Sequence, residues 1–335
     1  MRKIMVIFVA SYWRMIMSLQ SIEMCAGAGG QALGLEKAGF NHIDLIEIDT
    51  PACQTLKLNR PNWNVINGDL RDYRANLYKG IELIAGGVPC PPFSKAGKQL
   101  GSADERDIVP EAIRLVDEAR PQAVMLENVR GLLDSVFDEY RLKIINDLGK
   151  LGYKAEWRLL NASDYGVCQL RPRVVFVALK KNFSECFSWP SAGAYRAQTV
   201  GKLLLDLMLE RDWMGAHFWA QRANDIAPTL VGGSKKHGGP DLGPTRAKKA
   251  WASLGVDGNG IADLAPDKDF IGMPKLTVRM TARIQGFPDD WQFSGRKTSS
   301  YRQVGNAFPP PVAFAVGNQI NEALNLAASK KLRLA

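Results

Sequence analysis

A predicted strand at residues 21–25 leads into a glycine-rich turn at residues 26–30, and a helical pattern follows at residues 31–38. Glycines let the backbone approach a ligand closely, and the first turn of the helix offers free N–H groups. The pattern predicts the start of a nucleotide-binding βαβ unit, and therefore a parallel sheet covered by helices. A glycine turn alone is a weak indication of nucleotide binding, so the interpretation depends on the residues that follow the next strands.

Acidic residues follow the next two predicted strands. A strand at residues 42–46 ends in Glu47, and an acid about 20 residues after such a turn can accept hydrogen bonds from both ribose hydroxyls of a nucleotide. A solvated loop acid is the less favoured alternative, because the glycine turn precedes it. A third strand at residues 63–66 is followed by Asp69 and Leu70. Asp69 could accept from the exocyclic amine of a purine while Leu70 covers the ring, but a helix N-cap role for Asp69 explains the sequence equally well.

A single cysteine lies on a stiff loop after the fourth predicted strand. The apolar run at residues 81–85 is followed by two glycines, and prolines flank Cys90 on both sides. Proline fixes φ and lacks an N–H, so this stretch cannot continue a helix or a central strand. Ligands of open α/β sheets bind at the carboxyl ends of the strands, and a stiff loop holds a nucleophile in one pose. A buried structural cysteine is the alternative, and the loop and the remaining motifs favour the nucleophile.

A carboxylate and an amide follow the fifth predicted strand, at residues 123–126. If the sheet is parallel, Glu127 and Asn128 lie at its carboxyl edge beside the strand that precedes Cys90. A carboxyl group near a cysteine nucleophile can protonate a ring nitrogen. A surface ion pair is a poor explanation for Glu127, because the residue follows an apolar strand.

Two arginines precede the last strand of a predicted antiparallel pair at residues 153–160 and 174–179. Arg171 and Arg173 point the same way if the backbone there is extended. One of them could serve an oxyanion and the other the packing of the site. The alternative is a pair of solvated arginines at the start of a strand.

The formal net charge of +9 indicates an acidic partner, with nucleic acid as the leading candidate, although an ordinary basic protein would also carry it. Residues 95–106 are polar and predict a mobile loop with cations suited to phosphates. Residues 180–274 mix basic, aromatic and small residues with little periodicity. They predict either a loop-rich nucleic-acid surface or a solvated basic insertion.

Cysteine usage favours reduced thiols. The five cysteines form no CxxC pair and there are three histidines, so no zinc or other metal site is expected. No apolar run approaches the roughly 20 residues needed to span a bilayer, so no membrane association is expected.

Taken in succession, these motifs resemble the DNA (cytosine-5)-methyltransferases over residues 21–326. The glycine turn with residues 31–34 is most similar to the bacterial restriction–modification branch. The remaining motifs that carry the resemblance are Pro89-Cys90, Glu127-Asn128-Val129, Gln169-x-Arg171-x-Arg173, the stretch from Arg279 to Pro288, and Gln303-x-Gly305-Asn306.

The resemblance implies an α/β fold, a doubly wound Rossmann-like sheet that binds S-adenosylmethionine, with a smaller, loop-rich target-recognition domain. Residues 21–185 and 301–328 would form the catalytic and cofactor domain, and residues 186–300 the target-recognition domain. Residues 1–20 lie outside the family pattern, and their role is open between an extra strand, a loose arm and a translated upstream stretch.

The resemblance also implies roles in catalysis. Cys90 would attack C6 of cytosine, and Glu127 would hold the exocyclic amine and protonate N3. Arg173 would contact O2, Arg171 would support the loop, and Asn128 would orient the backbone near Cys90. The chemistry agrees, because C5 of cytosine is not nucleophilic until C6 is attacked, and a base stacked in a duplex must be flipped out to react.

Cofactor and DNA contacts follow from the same resemblance. The cofactor is S-adenosylmethionine, with S-adenosylhomocysteine as product, and the equivalent positions are Cys25, Gly27, Gly29, Glu47, Ile48, Asp69, Leu70 and Asn306. Contacts with double-stranded DNA are expected from Ser94, Lys95, Lys98, Arg106, Lys235, Lys236 and Arg246. The chain departs from the family at Cys25, where Phe is usual, at Ile48, where some members have Trp, at Ile108-Val109 and at Cys168.

Three other functions compete with this interpretation. A tRNA cytosine-5 methyltransferase has the same catalytic set, but the long basic insertion favours duplex DNA. A non-catalytic DNA-binding relative would not need Cys90 with Glu127, and a nicotinamide dehydrogenase leaves the Pro-Cys-Pro stretch unexplained.

The sequence does not indicate which DNA sequence is the target, and resemblance to the bacterial branch favours a short GC-rich palindrome. We further expect a monomer in the bacterial cytoplasm, associated with the nucleoid through DNA, and a genetically linked restriction endonuclease. The group that removes the C5 proton stays unassigned.

Overall fold

The computed structural model describes residues 19–89, 107–193, 196–233 and 239–334, and the side chains up to residue 330. Most of the N-terminal extension therefore lies outside the described residues. So do several predicted site residues, namely Cys90, Ser94, Lys95, Lys98, Arg106, Lys235 and Lys236.

A seven-stranded sheet forms the centre of the protein. Its strands are β1 (Leu19–Met24), β2 (Phe40–Glu47), β3 (Val65–Asn67), β4 (Leu83–Gly86), β5 (Ala123–Val129), β6 (Tyr153–Asn161) and β7 (Pro172–Lys180). The spatial order is β3-β2-β1-β4-β5-β7-β6. The first five strands are parallel, whereas β7 runs antiparallel to both of its neighbours. The order reverses between β1 and β4, which is the place where doubly wound sheets bind their ligands.

Helices cover both faces of the sheet. In chain order they are α1 (Gly30–Lys37), α2 (Thr50–Asn59), α3 (Val109–Ala119), α4 (Asp138–Lys150), α5 (Lys181–Ser184), α6 (Val200–Met208), α7 (Ala216–Arg222), α8 (Thr245–Ser253), α9 (Val278–Gln285), α10 (Lys297–Asn306) and α11 (Pro310–Leu334). Pro110 lies in the first turn of α3, where the missing N–H leaves no bond unmade. No helix in the described ranges is both long and apolar enough to cross a membrane.

Alternate residues of the strands pack into two apolar layers. Ile22 and Ile84 face α3 and α4, whereas Leu83 and Met125 face α1 and α11. The contact between α1 and α11 is close: a Cβ at Gly34 would lie 2.5 Å from the Cβ of Ala313. The predicted doubly wound fold is confirmed, with small shifts at the ends of the elements.

Residues 186–300, the predicted target-recognition domain, contain more regular structure than expected. They include α6 to α9, and their core holds Trp219 and Trp251, which are 4% and 0% exposed. The sequence predicted a loop-rich nucleic-acid surface or a solvated basic insertion here, and neither alternative anticipated that these two aromatic side chains would be buried. The helices are short and separated by turns, so their apolar periodicity is too brief to be recognised in the sequence. The core continues into α10 through Tyr301 and Val304.

Candidate active site

The antiparallel strand β7 brings an arginine to the carboxyl edge of β5. Val129 pairs with Arg173, and Glu127 pairs with Val175. The connection between β6 and β7 is short and has no crossover helix, which permits only an antiparallel neighbour. Ladder pairing extends β5 through Val129, so Glu127 lies within the strand and not just after it, as the sequence had suggested.

Glu127 and Arg173 form a nearly buried ion pair. The Nε of Arg173 lies 2.8 Å from Oε1 of Glu127, and the two side chains are 13% and 11% exposed. Burial raises the pKa of the Glu127 carboxyl above its ordinary value, and the guanidinium groups of Arg173 and Arg171 offset only part of this effect. A carboxyl group in this position is therefore suited to hold and donate a proton.

The segment that leads to Cys90 is attached to the same strand. The side-chain amide of Asn128 donates to the carbonyl oxygen of Val88 at 2.9 Å. Oε2 of Glu127 faces Gly87 so closely that a Cβ there would lie 3.3 Å from it. Val88 precedes Cys90 by two residues. The segment that leads to the cysteine therefore passes next to the Glu127 carboxyl.

Arg171 has a different environment from Arg173. Its side chain is fully buried and donates to carbonyl oxygens of Leu230 at 2.8 Å and of Gly305 at 2.7 Å. Burial holds the pKa of this guanidinium below its usual value. The alternative of two solvated arginines is excluded, because the Arg171 side chain is fully buried and that of Arg173 is only 13% exposed. Arg171 connects three separate parts of the chain.

Two glutamines extend this buried polar network. Gln169 donates from Nε2 to Oε1 of Gln285 at 2.7 Å, and its own Oε1 accepts from the backbone N–H of Leu230 at 2.9 Å. Gln285 in turn donates to the carbonyl oxygen of Ala307. The network joins the start of β7, helix α9 and the chain after α10 in one buried group.

Glu47 binds the glycine turn at the switch point of the sheet. Its Oε2 accepts from the N–H of Gly27 at 2.7 Å, and its Oε1 accepts from the N–H of Asp49 at 2.7 Å. Each oxygen keeps a further acceptor position for a ligand. Gly27 has a φ of 53°, and a Cβ there would meet nothing within 4 Å. The turn therefore leaves open space at Gly27, whose N–H binds the Glu47 carboxylate.

Trp291 supports the glycine turn from a distant part of the sequence. Its indole N–H donates to the carbonyl oxygen of Ala28 at 3.1 Å. A Cβ at Gly29, which has a φ of 87°, would lie 2.9 Å from the Trp291 ring and 2.7 Å from Leu56. Sequence reasoning missed Trp291, because no local pattern links it to the turn.

The remaining predicted cofactor residues differ in what they offer a ligand. Ile48 is 65% exposed at the end of β2. Burial raises the pKa of the half-buried Cys25 thiol to about 12, so it stays neutral. Asp69 accepts from both the backbone N–H and the guanidinium of Arg71 at 2.9 Å. No helix begins at Asp69, so the N-cap alternative is excluded.

Two of the predicted cofactor residues, Leu70 and Asn306, make contacts within the protein that the sequence did not indicate. Leu70 is 4% exposed and packs into the apolar layer that holds Ile22 of β1 and Ile84 of β4. Its role in covering an adenine ring stays a prediction. Asn306 is exposed, and its amide donates to the carbonyl oxygen of Gly233 at 3.2 Å. Within the described chain, no hydrogen bond joins Asn306 to the Gly27–Glu47 group.

Arg246 is the one predicted DNA contact that the structure describes, and it is exposed on α8. Within the described ranges, no group of three or more His, Cys, Asp or Glu residues is placed to hold a metal ion.

Comparison with known proteins identifies the family. The model of the family described as C-5 cytosine-specific DNA methylase matches residues 19–322. Type II methyltransferase M.NgoMIV of Neisseria gonorrhoeae is 60% identical over 311 residues, which cover 92% of this chain and 99% of that protein. Type II methyltransferase M.NaeI of Lentzea aerocolonigenes is 58% identical over 317 residues, which cover 92% of this chain and 76% of that protein.

A solved structure agrees with the fold. The DNMT2 variant of Spodoptera frugiperda superposes with a TM-score of 0.65 at 17% identity, over 91% of this chain and 100% of that one. The family match spans the sheet, the Glu127–Arg173 pair and the glycine turn. The chain therefore belongs to the C-5 cytosine-specific DNA methylase family and is a DNA (cytosine-5)-methyltransferase.

Proposed function

We propose that the protein transfers a methyl group from S-adenosylmethionine to C5 of a cytosine in a specific double-stranded DNA sequence, through a covalent bond between Cys90 and C6. The observation that carries this proposal is the buried Glu127–Arg173 pair beside the segment that leads to Cys90. A protonated carboxyl next to a cysteine is what the addition of a thiolate to a cytosine ring requires.

The reaction begins at C6 of the flipped cytosine. The Cys90 thiolate forms a bond to C6, and N3 takes a proton, so the ring becomes an enamine with a nucleophilic C5. After C5 has gained the methyl group, it loses its proton to a base, the sulfur–C6 bond breaks, and N3 returns its proton. Cys90 leaves this sequence unchanged.

Glu127 and Arg173 divide the recognition of the ring between them. The raised pKa of Glu127 keeps a proton available for N3. Oε1 of Glu127 is occupied by Arg173, whereas Oε2 faces Gly87 and the approach to Cys90. Arg173 binds Glu127 through Nε and donates from Nη1 to the carbonyl oxygen of Pro172 at 2.9 Å. These contacts orient the guanidinium, which would donate to O2 of the base. Asn128 holds the backbone at Val88 in place.

The glycine turn fits S-adenosylmethionine, which supplies an electrophilic methyl group on a sulfonium. Gly27 leaves room for the ligand, because its Cβ position is open. Glu47 would accept the ribose hydroxyls with the lone pairs that Gly27 and Asp49 do not use. Ile48 offers an exposed apolar face beside it, and Trp291 holds the turn in position.

Glu47→Gln tests the cofactor site. The amide places an N–H donor against the N–H of Gly27 or Asp49 and loses the charge that attracts the ribose hydroxyls. Hydrogen bonds to charged groups contribute about 1.5–3 kcal/mol, so affinity for S-adenosylmethionine is expected to fall about 10- to 100-fold in calorimetric titrations. Glu156→Gln, at an exposed position on β6, is the control. Unchanged affinity in Glu47→Gln would place the ribose elsewhere.

The biological role and organisation belong to the same proposal. M.NgoMIV and M.NaeI are named Type II methyltransferases, which supports protection of DNA against a cognate restriction endonuclease in a bacterial cytoplasm. The net charge of +9 suits association with DNA. We propose a monomer, because a palindromic target can be methylated one strand at a time, with residues 186–300 reading the target sequence.

Trapping on 5-fluorocytosine tests the mechanism. Fluorine cannot leave C5 as a proton does, so duplex DNA that carries 5-fluorocytosine in varied contexts should form an adduct that resists denaturation when S-adenosylmethionine is present. The adduct should disappear in Cys90→Ser and persist in Cys186→Ser, which changes a half-buried cysteine outside the site. An adduct on tRNA but on no DNA would make the protein a tRNA methyltransferase. No adduct on either, with DNA still bound, would make it a non-catalytic relative.

A further inference from the structure

The backbone at Gly232 crosses the backbone at Gly305, near the end of α10, with very little space between the two. A Cβ at Gly305 would lie 2.5 Å from both the nitrogen and the Cα of Gly232, and a Cβ at Gly232 would lie 2.7 Å from the carbonyl oxygen of Arg302. These atoms belong to the backbone and cannot rotate out of the way. Both positions therefore need glycine because of the close approach of two backbones, since neither has a positive φ.

The crossing is bonded to the proposed catalytic pair through Arg171. The Arg171 side chain donates to the carbonyl oxygen of Leu230 at 2.8 Å, in the segment that crosses, and to that of Gly305 at 2.7 Å, in α10. Arg171 precedes Arg173 by two residues, and Arg173 binds Glu127. The position of the crossing is thus fixed relative to the Glu127 carboxyl by a short series of direct contacts.

The segment before the crossing follows the start of β7 closely. The N–H of Leu170 donates to the carbonyl oxygen of Ala227 at 2.8 Å, and the hydroxyl of Thr229 donates to the carbonyl oxygen of Leu170 at 2.5 Å. On the far side, the amide of Asn306 donates to the carbonyl oxygen of Gly233 at 3.2 Å. Leu230 itself belongs to the core of residues 186–300. The segment at residues 227–233 therefore joins that core to the site.

We propose that Gly232 and Gly305 are positioning residues, which set the distance between residues 186–300 and the Glu127–Arg173 pair and so control whether the target cytosine reaches the site. This inference rests on the proposed function, because it assumes that residues 186–300 hold the DNA. The glycine pair acts through the backbone and touches neither the base nor the cofactor.

Gly232→Ala and Gly305→Ala test the proposal. Each added Cβ must move a backbone by about 1 Å to reach an ordinary contact distance. A misplacement of about this size can cost on the order of 100-fold in rate, so kcat/KM for duplex DNA is expected to fall by that order while affinity for S-adenosylmethionine stays at the wild-type value. Both substitutions disturb the same contact between two backbones. The double variant should therefore lose little more kcat/KM than the worse of the two single variants.

Gly149→Ala is the matched control, because that glycine lies on α4 with nothing within 4 Å of its Cβ position. Thermal melting identifies variants that fold. If either alanine variant fails to fold, Thr229→Val is the deciding variant, because it removes the hydrogen bond from Thr229 to Leu170 without adding a heavy atom. It should raise the KM for DNA and leave cofactor affinity unchanged.

The inference would be overturned if Gly232→Ala and Gly305→Ala had the same kcat/KM for DNA as Gly149→Ala. It would also be overturned if these two variants lost cofactor affinity and DNA turnover to the same extent. In both cases an active wild-type protein leaves the proposed function standing. A wild-type protein that methylates no duplex DNA would refute the proposed function and this inference together.

Discussion

Glu127→Gln is expected to lower kcat for methyl transfer by a factor on the order of 10³, within the range that a positioned acid contributes. The amide keeps the size of the side chain and can still contact the ring, but it has no proton to give to N3. Binding of duplex DNA and of S-adenosylmethionine should therefore persist. The initial rate of methyl incorporation into duplex DNA measures the loss, and Glu156→Gln on the surface of β6 serves as the control.

The pH dependence of the wild-type rate gives a second readout of Glu127. Its pKa lies above the ordinary value because burial disfavours the charged carboxylate. The protonated acid is therefore present below that raised pKa and is lost as pH rises through it, so kcat should fall on the alkaline side. This alkaline limb should vanish in Glu127→Gln. A variant with near-wild-type activity, or one that keeps the limb, would assign the proton to another group.

Arg171→Met is expected to lower the free energy of unfolding strongly. The change leaves the buried carbonyl oxygens of Leu230 and Gly305 without the donors that they have in the wild type. Each unsatisfied buried group costs about 1–3 kcal/mol, so the expected loss is about 2–6 kcal/mol. Urea denaturation measures it, provided that the dependence of the free energy on urea concentration keeps its slope.

Arg246→Met is the control for this change, because it replaces an exposed arginine on α8 and should alter the free energy of unfolding by no more than about 0.5 kcal/mol. Equal stability of Arg171→Met and the wild type would mean that desolvation of the guanidinium cancels its hydrogen bonds. The role of Arg171 would then be confined to positioning the chain around Gly305.

Local patterns predicted the catalytic half of the fold well. The strand before the glycine turn and the acid at the end of β2 are each determined within a few residues, and the structure brings Gly27 and Glu47 into contact. The antiparallel pair β6 and β7 was also predicted correctly. In these elements, side-chain period and turn residues leave few alternatives.

Contacts between distant residues were not predictable in the same way. Trp291 donates a hydrogen bond to Ala28 across 263 residues, and Asn306 donates one to Gly233 across 73 residues. The burial of Leu70 in the apolar layer beside the sheet was likewise not evident from its neighbours in the sequence. Such outcomes depend on which surfaces meet after folding, and a single sequence does not encode them in any local period.

The glycine turn and the helix after it pack against residues that the ribosome adds much later in synthesis. Gly30 packs directly on the backbone of Phe308, and Gly34 packs on Pro310 and Ala313. A nascent chain therefore exposes an unfinished turn until a segment about 280 residues later has emerged. Contacts this distant in sequence form late, because a long loop must close before they contribute. A growing chain should thus acquire its cofactor site in one late step, after the strands of the sheet are already made.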